Sequence, residues 1–135
     1  MTAHSEIPEP NDPGLTALVM LLRFHGVGAD PAQVRHQSGT ATIGTAEMVR
    51  CAREFGLKAR ELKSSWARLA TTPLPAIAVL KDGGFLLLGK VGDDKVVVQS
   101  TKTPRPELMT KDELEAVWDG RIVLMTRRAL SLIHI

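Results

Sequence analysis

Apolar residues along this chain recur at two different periods, and the change between them falls near residue 56. In the first half Leu15, Leu18, Val19 and Leu22 share one face at helical spacing, the pattern of an amphipathic helix. Asp12-Pro13 opens the segment. The Asp12 side chain can cap free N–H groups, and the Pro13 backbone is pre-set for a first turn. This helix is expected to end near Gly26. Asp30-Pro31 repeats the start signal for a short helix to about His36. A third helix is predicted from about Thr45 to Phe55, with Met48, Cys51 and Ala52 inward and Gly56 as its stop.

Beyond Gly56 the rhythm becomes that of strands. Leu57 to Leu62 alternates, and Ser64 or Ser65 can cap a short helix through Leu69 that carries Trp66. Three β-rich runs follow, Ala76 to Leu80, Phe85 to Val91 and Lys95 to Gln99. Asp82-Gly83-Gly84 and Gly92-Asp93-Asp94 separate them as hairpin turns. Pro104 and Pro106 mark a loop. Thr110 and Glu113 form a capping box for a helix ending near Trp118. Asp119-Gly120 then turns into a last strand, Ile122 to Met125. Helices first and an antiparallel sheet after them is an α+β order.

Composition narrows the class. The chain has 135 residues, 44% hydrophobic and 24% charged, which suits one globular domain. We place that domain at 12–128, behind a loose Pro-rich lead-in at 1–11 and ahead of an apolar tail at 129–135 that is set aside from the fold. The net charge is only +2, and three Phe and two Trp are available for stacking. A nucleic-acid platform combines a basic stripe with interleaved aromatics, so nucleic acid is not an expected partner. One cysteine excludes an internal disulfide and fits a reducing compartment. No apolar run reaches the length of a bilayer span, and the N-terminus lacks the basic and apolar regions of a signal peptide. The domain itself is expected to be soluble and cytosolic.

Candidate chemistry is sparse. Cys51 falls mid-helix on the apolar side, where a thiol is a core residue and not an activated nucleophile. His4, His25, His36 and His134 show no ligand spacing, so neither a metal nor another cofactor is expected. Ser64, Ser65 and Ser100 lack a nucleophile elbow. Gly83-Gly84 is not followed by the Lys–Ser/Thr pair of a phosphate loop. Asp93-Asp94 reads as a turn, and Asp112, Glu113 and Glu115 as the solvated side of a helix start.

The order of these features resembles a known family. Asp12-Pro13-Gly14-Leu15-Thr16-Ala17-Leu18 resembles the Asp-Cys-Gly-x-x-x-Leu opening of the bacteriocin-processing cysteine peptidases, cysteine peptidase family 39, which are fused to ABC transporters. Gly44-Thr45, Leu74-Pro75-Ala76, Asp82-Gly83-Gly84-Phe85 and the run from Glu113 to Leu124 follow in that family's order. The resemblance covers about Asp12 to Arg127 and implies a papain-like fold, with N-terminal helices packed on a C-terminal antiparallel sheet.

In the family, a cysteine opening the first helix is the nucleophile, a histidine the base and an aspartate its orienter. The matching positions here look like Pro13, Phe85 and Ser100, or Gln99 if the register slips by one. The oxyanion-hole glutamine is replaced by Ile7 or Pro8. On this carry-over the domain is expected to be no enzyme but proteolytically inert, since losing one member of such a triad already cripples catalysis.

The pattern is similar to the peptidase-like domains of haemolysin-type, type I secretion transporters. That resemblance implies a non-catalytic N-terminal domain holding an unfolded RTX-type substrate on the cytosolic face of the bacterial inner membrane. Its further partners would be the membrane and nucleotide-binding domains of the same transporter. Pro13, Val79 and Phe85 are the expected substrate contacts. The plainer reading is that Phe85 and Leu87 fill the core and the domain contacts the transporter elsewhere. Two readings from other classes stand beside these: an active peptidase, with Cys51 as its thiol candidate, and a free-standing interaction module.

Overall fold

The computed structural model describes residues 12–127; the lead-in with Ile7 and Pro8, and the tail at 129–135, lie outside them. Three helices come first, α1 (Pro13–Phe24), α2 (Pro31–Ser38) and α3 (Thr45–Glu54). Each starts where the sequence places a start. Asp12 accepts from the Leu15 N–H at 3.1 Å and Asp30 from the Gln33 N–H at 3.1 Å. The Gly44 N–H donates to the Glu47 carboxylate at 2.8 Å. These bonds satisfy donors that a helix start leaves unpartnered.

The remainder is one sheet with two small helices. Its strands are β1 (Leu57–Lys63), β2 (Ala76–Leu80), β3 (Phe85–Val91), β4 (Lys95–Ser100), β5 (Pro106–Thr110) and β6 (Trp118–Arg127). Helices α4 (Trp66–Leu69) and α5 (Lys111–Val117) lie between strands. The spatial order is β1-β6-β2-β3-β4-β5, with every pairing antiparallel.

Two expectations are corrected here. Pro106 begins a strand rather than sitting in a loop, and residues Pro106 to Thr110 pair with β4. Proline lacks a ladder donor, so it is tolerated at the first position of an edge strand. Asp119-Gly120 is likewise no turn: β6 begins at Trp118, which pairs with Leu80 across an irregular register.

The sheet separates two cores. Alternate side chains of β2 and β3 leave opposite faces, as strand geometry requires. Ile77, Val79, Phe85 and Leu87 join α1, α2 and α3 in one cluster. Ala76, Ala78, Leu86 and Leu88 join Leu69, Leu114 and Trp118 in the other. Both central strands therefore read as continuous apolar runs. On the α1 side the approach is close. A Cβ added at Gly14 would lie 1.8 Å from the Ile43 carbonyl oxygen, so only glycine lets α1 meet that loop.

Candidate functional site

The N-terminus of α1 faces the sheet where β2 turns into β3 and where β4 ends. Asp12 fixes this point twice. It caps α1 through Oδ1, and its Oδ2 accepts from the Arg35 guanidinium at 2.7 Å. Arg35 also donates to the Ala41 carbonyl, which ties α1 to α2 and to the loop before α3. Asp12 is 4% exposed, so the pair is a buried-to-surface brace rather than a loose surface contact. From sequence Asp12 reads only as a cap, since its ion pair spans 23 residues.

Beside this brace runs a groove of about 350 Å³. Pro13, Leu80, Phe85 and Leu86 give it apolar walls, and Ser100 and Thr101 close one end. Asp82 and Lys102 supply charge at its rim. The β2–β3 turn is held by local bonds: Asp82 Oδ1 accepts from the Gly84 N–H at 2.8 Å, and Gly83 adopts φ 89°. Ser100 lies opposite Leu86 in the β3–β4 ladder. Its hydroxyl accepts from the Lys102 N–H at 2.9 Å. Gln99 instead directs its amide at the Ser100 and Thr103 carbonyls.

Three residues singled out by the sequence, Pro13, Phe85 and Ser100, thus meet in one groove although they come from α1, β3 and β4. Val79 does not line it. It is 4% exposed and packs in the α1-side core, opposite Phe85 in the β2–β3 register. Leu80, at the end of β2 beside the turn, lines the groove instead. Leu80, Asp82 and Lys102 were not anticipated as lining residues. Their places at the chain turns that follow β2 and β4 are the signal that points to them.

Cys51 lies elsewhere, fully buried among α1, α3 and the sheet. Burial pushes its thiol pKa up, with Glu54 and Glu47 adding to the rise and Arg50 opposing it. His25 stands at the other end of α1. Burial lowers its pKa, Arg127 lowers it further, and a bond to the Met125 backbone works the other way. Among the described residues no three of His, Cys, Asp and Glu come together as metal ligands.

Comparison with known proteins places this groove in context. The model of the peptidase C39 family matches residues 6–129. The chain belongs to the peptidase C39 family. A relative is the cyclolysin secretion/processing ATP-binding protein CyaB of Bordetella pertussis, 38% identical over 115 residues. That match covers 84% of this chain and 16% of the relative, so the chain spans about a sixth of the curated protein it resembles. Among solved structures, the N-terminal peptidase C39-like domain of the toxin secretion ATP-binding protein from Vibrio parahaemolyticus superposes with a TM-score of 0.77. It is 23% identical, and the match covers 87% of this chain and 98% of that one. A double glycine motif protease from an AMS/PCAT transporter, solved with its leader peptide, superposes with a TM-score of 0.77 at 16% identity. Here 88% of this chain and 86% of that one are covered. The helices packed on a six-stranded antiparallel sheet are therefore the papain-like fold of C39 domains.

These findings overturn one expectation. The family is a peptidase family and the fold is shared with solved peptidase domains, which points to a peptidase and against reading the chain as no enzyme. That reading rested on three positions carried over one at a time, whereas the family match rests on nearly the whole chain.

Proposed function

We propose that this chain is the C39 domain of a type I secretion ABC transporter, and that its groove receives an extended, unfolded segment of the exported protein. One observation carries the reading: Pro13, Phe85 and Ser100, from three separate elements, line a single groove with apolar walls and a polar end. Such a groove takes an extended chain by shape, with apolar contacts along its length and a few polar groups to set register. The name of the Bordetella relative, a secretion ATP-binding protein, supplies the setting. In that setting the domain works on the cytosolic side of the inner membrane, beside the membrane and nucleotide-binding parts of its transporter. Among the described residues no helix is long and apolar enough to cross a membrane.

The cargo we propose is an RTX-type chain, unfolded without calcium. Ordering such a segment offsets much of the contact energy, so affinity should be modest. A second reading, that the bound segment is also cleaved, is favoured by membership of a peptidase family.

The test is an NMR titration of the labelled chain with a calcium-free RTX segment, with the calcium-folded segment as control. Shifts of amides around Pro13, Leu80, Phe85 and Ser100 with the unfolded form alone are the expected result. No shift with either form would overturn the groove as a cargo site. Mass spectrometry of the same samples reads cleavage directly, and new peptide termini would establish the second reading.

A further inference from the structure

The free edge of the sheet opposite β5 is β1, with the sequence Leu57-Lys58-Ala59-Arg60-Glu61-Leu62-Lys63. Hollows lie on both sides of this edge. One, of about 610 Å³, is lined by Ala46, Val49, Arg50, Arg53 and Glu54 of α3 together with Arg60 and Glu61. The other, of about 520 Å³, is lined by Lys58, Leu124 and Thr126 together again with Arg53 and Arg60. Both arginines therefore border both hollows.

The charge here is unbalanced for a structural reason. Arg50, Arg53, Lys58 and Arg60 are exposed, and none belongs to an ion pair among the described residues. Of the nearby acids one is ion-paired and two accept neutral hydrogen bonds. Glu61 pairs with Arg121 at 2.9 Å, Glu54 accepts from Gln37 at 2.8 Å, and Glu47 caps α3. Four cations thus surround one edge and outnumber the unpaired carboxylates Glu47 and Glu54 beside them, with Arg50 also donating to the Ser38 carbonyl at 2.6 Å, a surplus that draws in anionic partners.

The edge does not invite another strand. The Arg53 guanidinium donates twice to the Ala59 carbonyl, at 3.1 and 2.9 Å. It covers the outward acceptor in the middle of β1, as proteins commonly blunt a free edge with charge. A ligand here is held by side-chain cations rather than by a backbone ladder.

We propose that this basic edge is a second contact for the exported protein, taking an acidic extended stretch of it. The proposal rests on the reading that an exported chain is the domain's ligand, and it deepens that reading by assigning the ligand's charge. The geometry suits a carboxylate-rich segment that lies along β1 and meets Arg50 on one side, Lys58 on the other, and Arg53 and Arg60 between them.

The experiment titrates the labelled 135-residue chain with a short peptide of Asp, Glu, Gly and Ser, against a counterpart carrying Asn and Gln. Expected are shifts at β1 and α3 with the acidic peptide alone, weakening as salt shortens the reach of charge. The pair Lys58→Gln and Arg60→Gln should weaken binding roughly tenfold, the scale of losing two exposed charge contacts. The pair Lys90→Gln and Lys95→Gln removes the same charge elsewhere and should change it less than about twofold. Equal losses in both pairs, no shift at β1, or binding of anionic-lipid vesicles without any response to the acidic peptide would overturn the proposal. The groove is read separately from Phe85 and Ser100 with the calcium-free RTX segment. Its silence with β1 responding removes the groove reading alone, and the reverse removes the edge alone.

Discussion

The groove beside Pro13 and the larger hollows flanking β1 are open surfaces built on opposite principles. The groove is shaped by the core itself: Phe85 and Leu86 are buried residues whose edges form its wall, and Gly14 and Asp12 fix its lip. The β1 hollows are defined by charge carried on long exposed side chains, and little of the fold depends on them. A site made from core residues is precise but costly to alter. A site made from surface cations is cheap to alter and sensitive to salt. The two regions thus offer separable handles on stability and on recognition.

Gly14→Ala, on the groove side, should have the largest effect. The added Cβ would collide with the Ile43 carbonyl, 1.8 Å away, and backbone must move. A loss of about 3 kcal/mol is expected from overpacking of this kind, read as a lower urea midpoint.

Asp12→Ala removes the cap and strands the Arg35 guanidinium. The expected loss is about 2 kcal/mol, combining a lost cap with a lost charge-assisted bond. Asp12→Asn keeps an acceptor for the Leu15 N–H and should recover part of it, which urea unfolding of the three proteins resolves.

Arg53→Ala on the edge side should cost about 1 kcal/mol, because its bonds to Ala59 are only part-buried and water can reach the freed carbonyl. A loss as large as that of Gly14→Ala would erase the distinction between the regions.

The smallest effect is in acid. Glu61 has its pKa lowered from 4.5, first by a bond from Thr45 and then by Arg121. A lowered carboxylate pKa stabilises the fold above the unfolded value and loses that contribution as pH falls through the folded one. The stability difference between the native chain and Glu61→Gln should therefore be present at neutral pH and fade below 4.5.

Cys51 offers an independent check on the buried half. Its thiol is enclosed and its pKa raised, chiefly by burial. A thiol reagent should label it slowly in the native chain and quickly once urea unfolds it.

Local signals carried most of the fold. Asp12-Pro13, Asp30-Pro31 and the Thr110–Glu113 box are short-range chemistry, and each helix begins where that chemistry puts it. What was illegible depends on distant partners. β5 exists because β4 pairs with it, and nothing in Pro106-Glu107-Leu108-Met109-Thr110 alternates strongly enough to announce a strand. Trp118 extends β6 because Leu80 lies opposite it.

At the site, the family resemblance brought Pro13, Phe85 and Ser100 forward, and the fold gathers them. Val79 enters only through the resemblance, and the fold buries it in the α1-side core behind Phe85. The basic edge escaped notice because Arg50, Arg53, Lys58 and Arg60 look scattered until α3 packs against β1.

The most direct test of the account places a photo-crosslinking residue at Lys102, on the groove rim, or at Lys90 as a control. Each protein is then irradiated with the RTX segment in its calcium-free and calcium-folded forms. Adducts are expected from position 102 with the unfolded segment and none with the folded one, and little from position 90 with either. Equal adducts from both positions, or adducts from 102 that do not distinguish the two forms, would contradict the groove as the place where the exported chain is held.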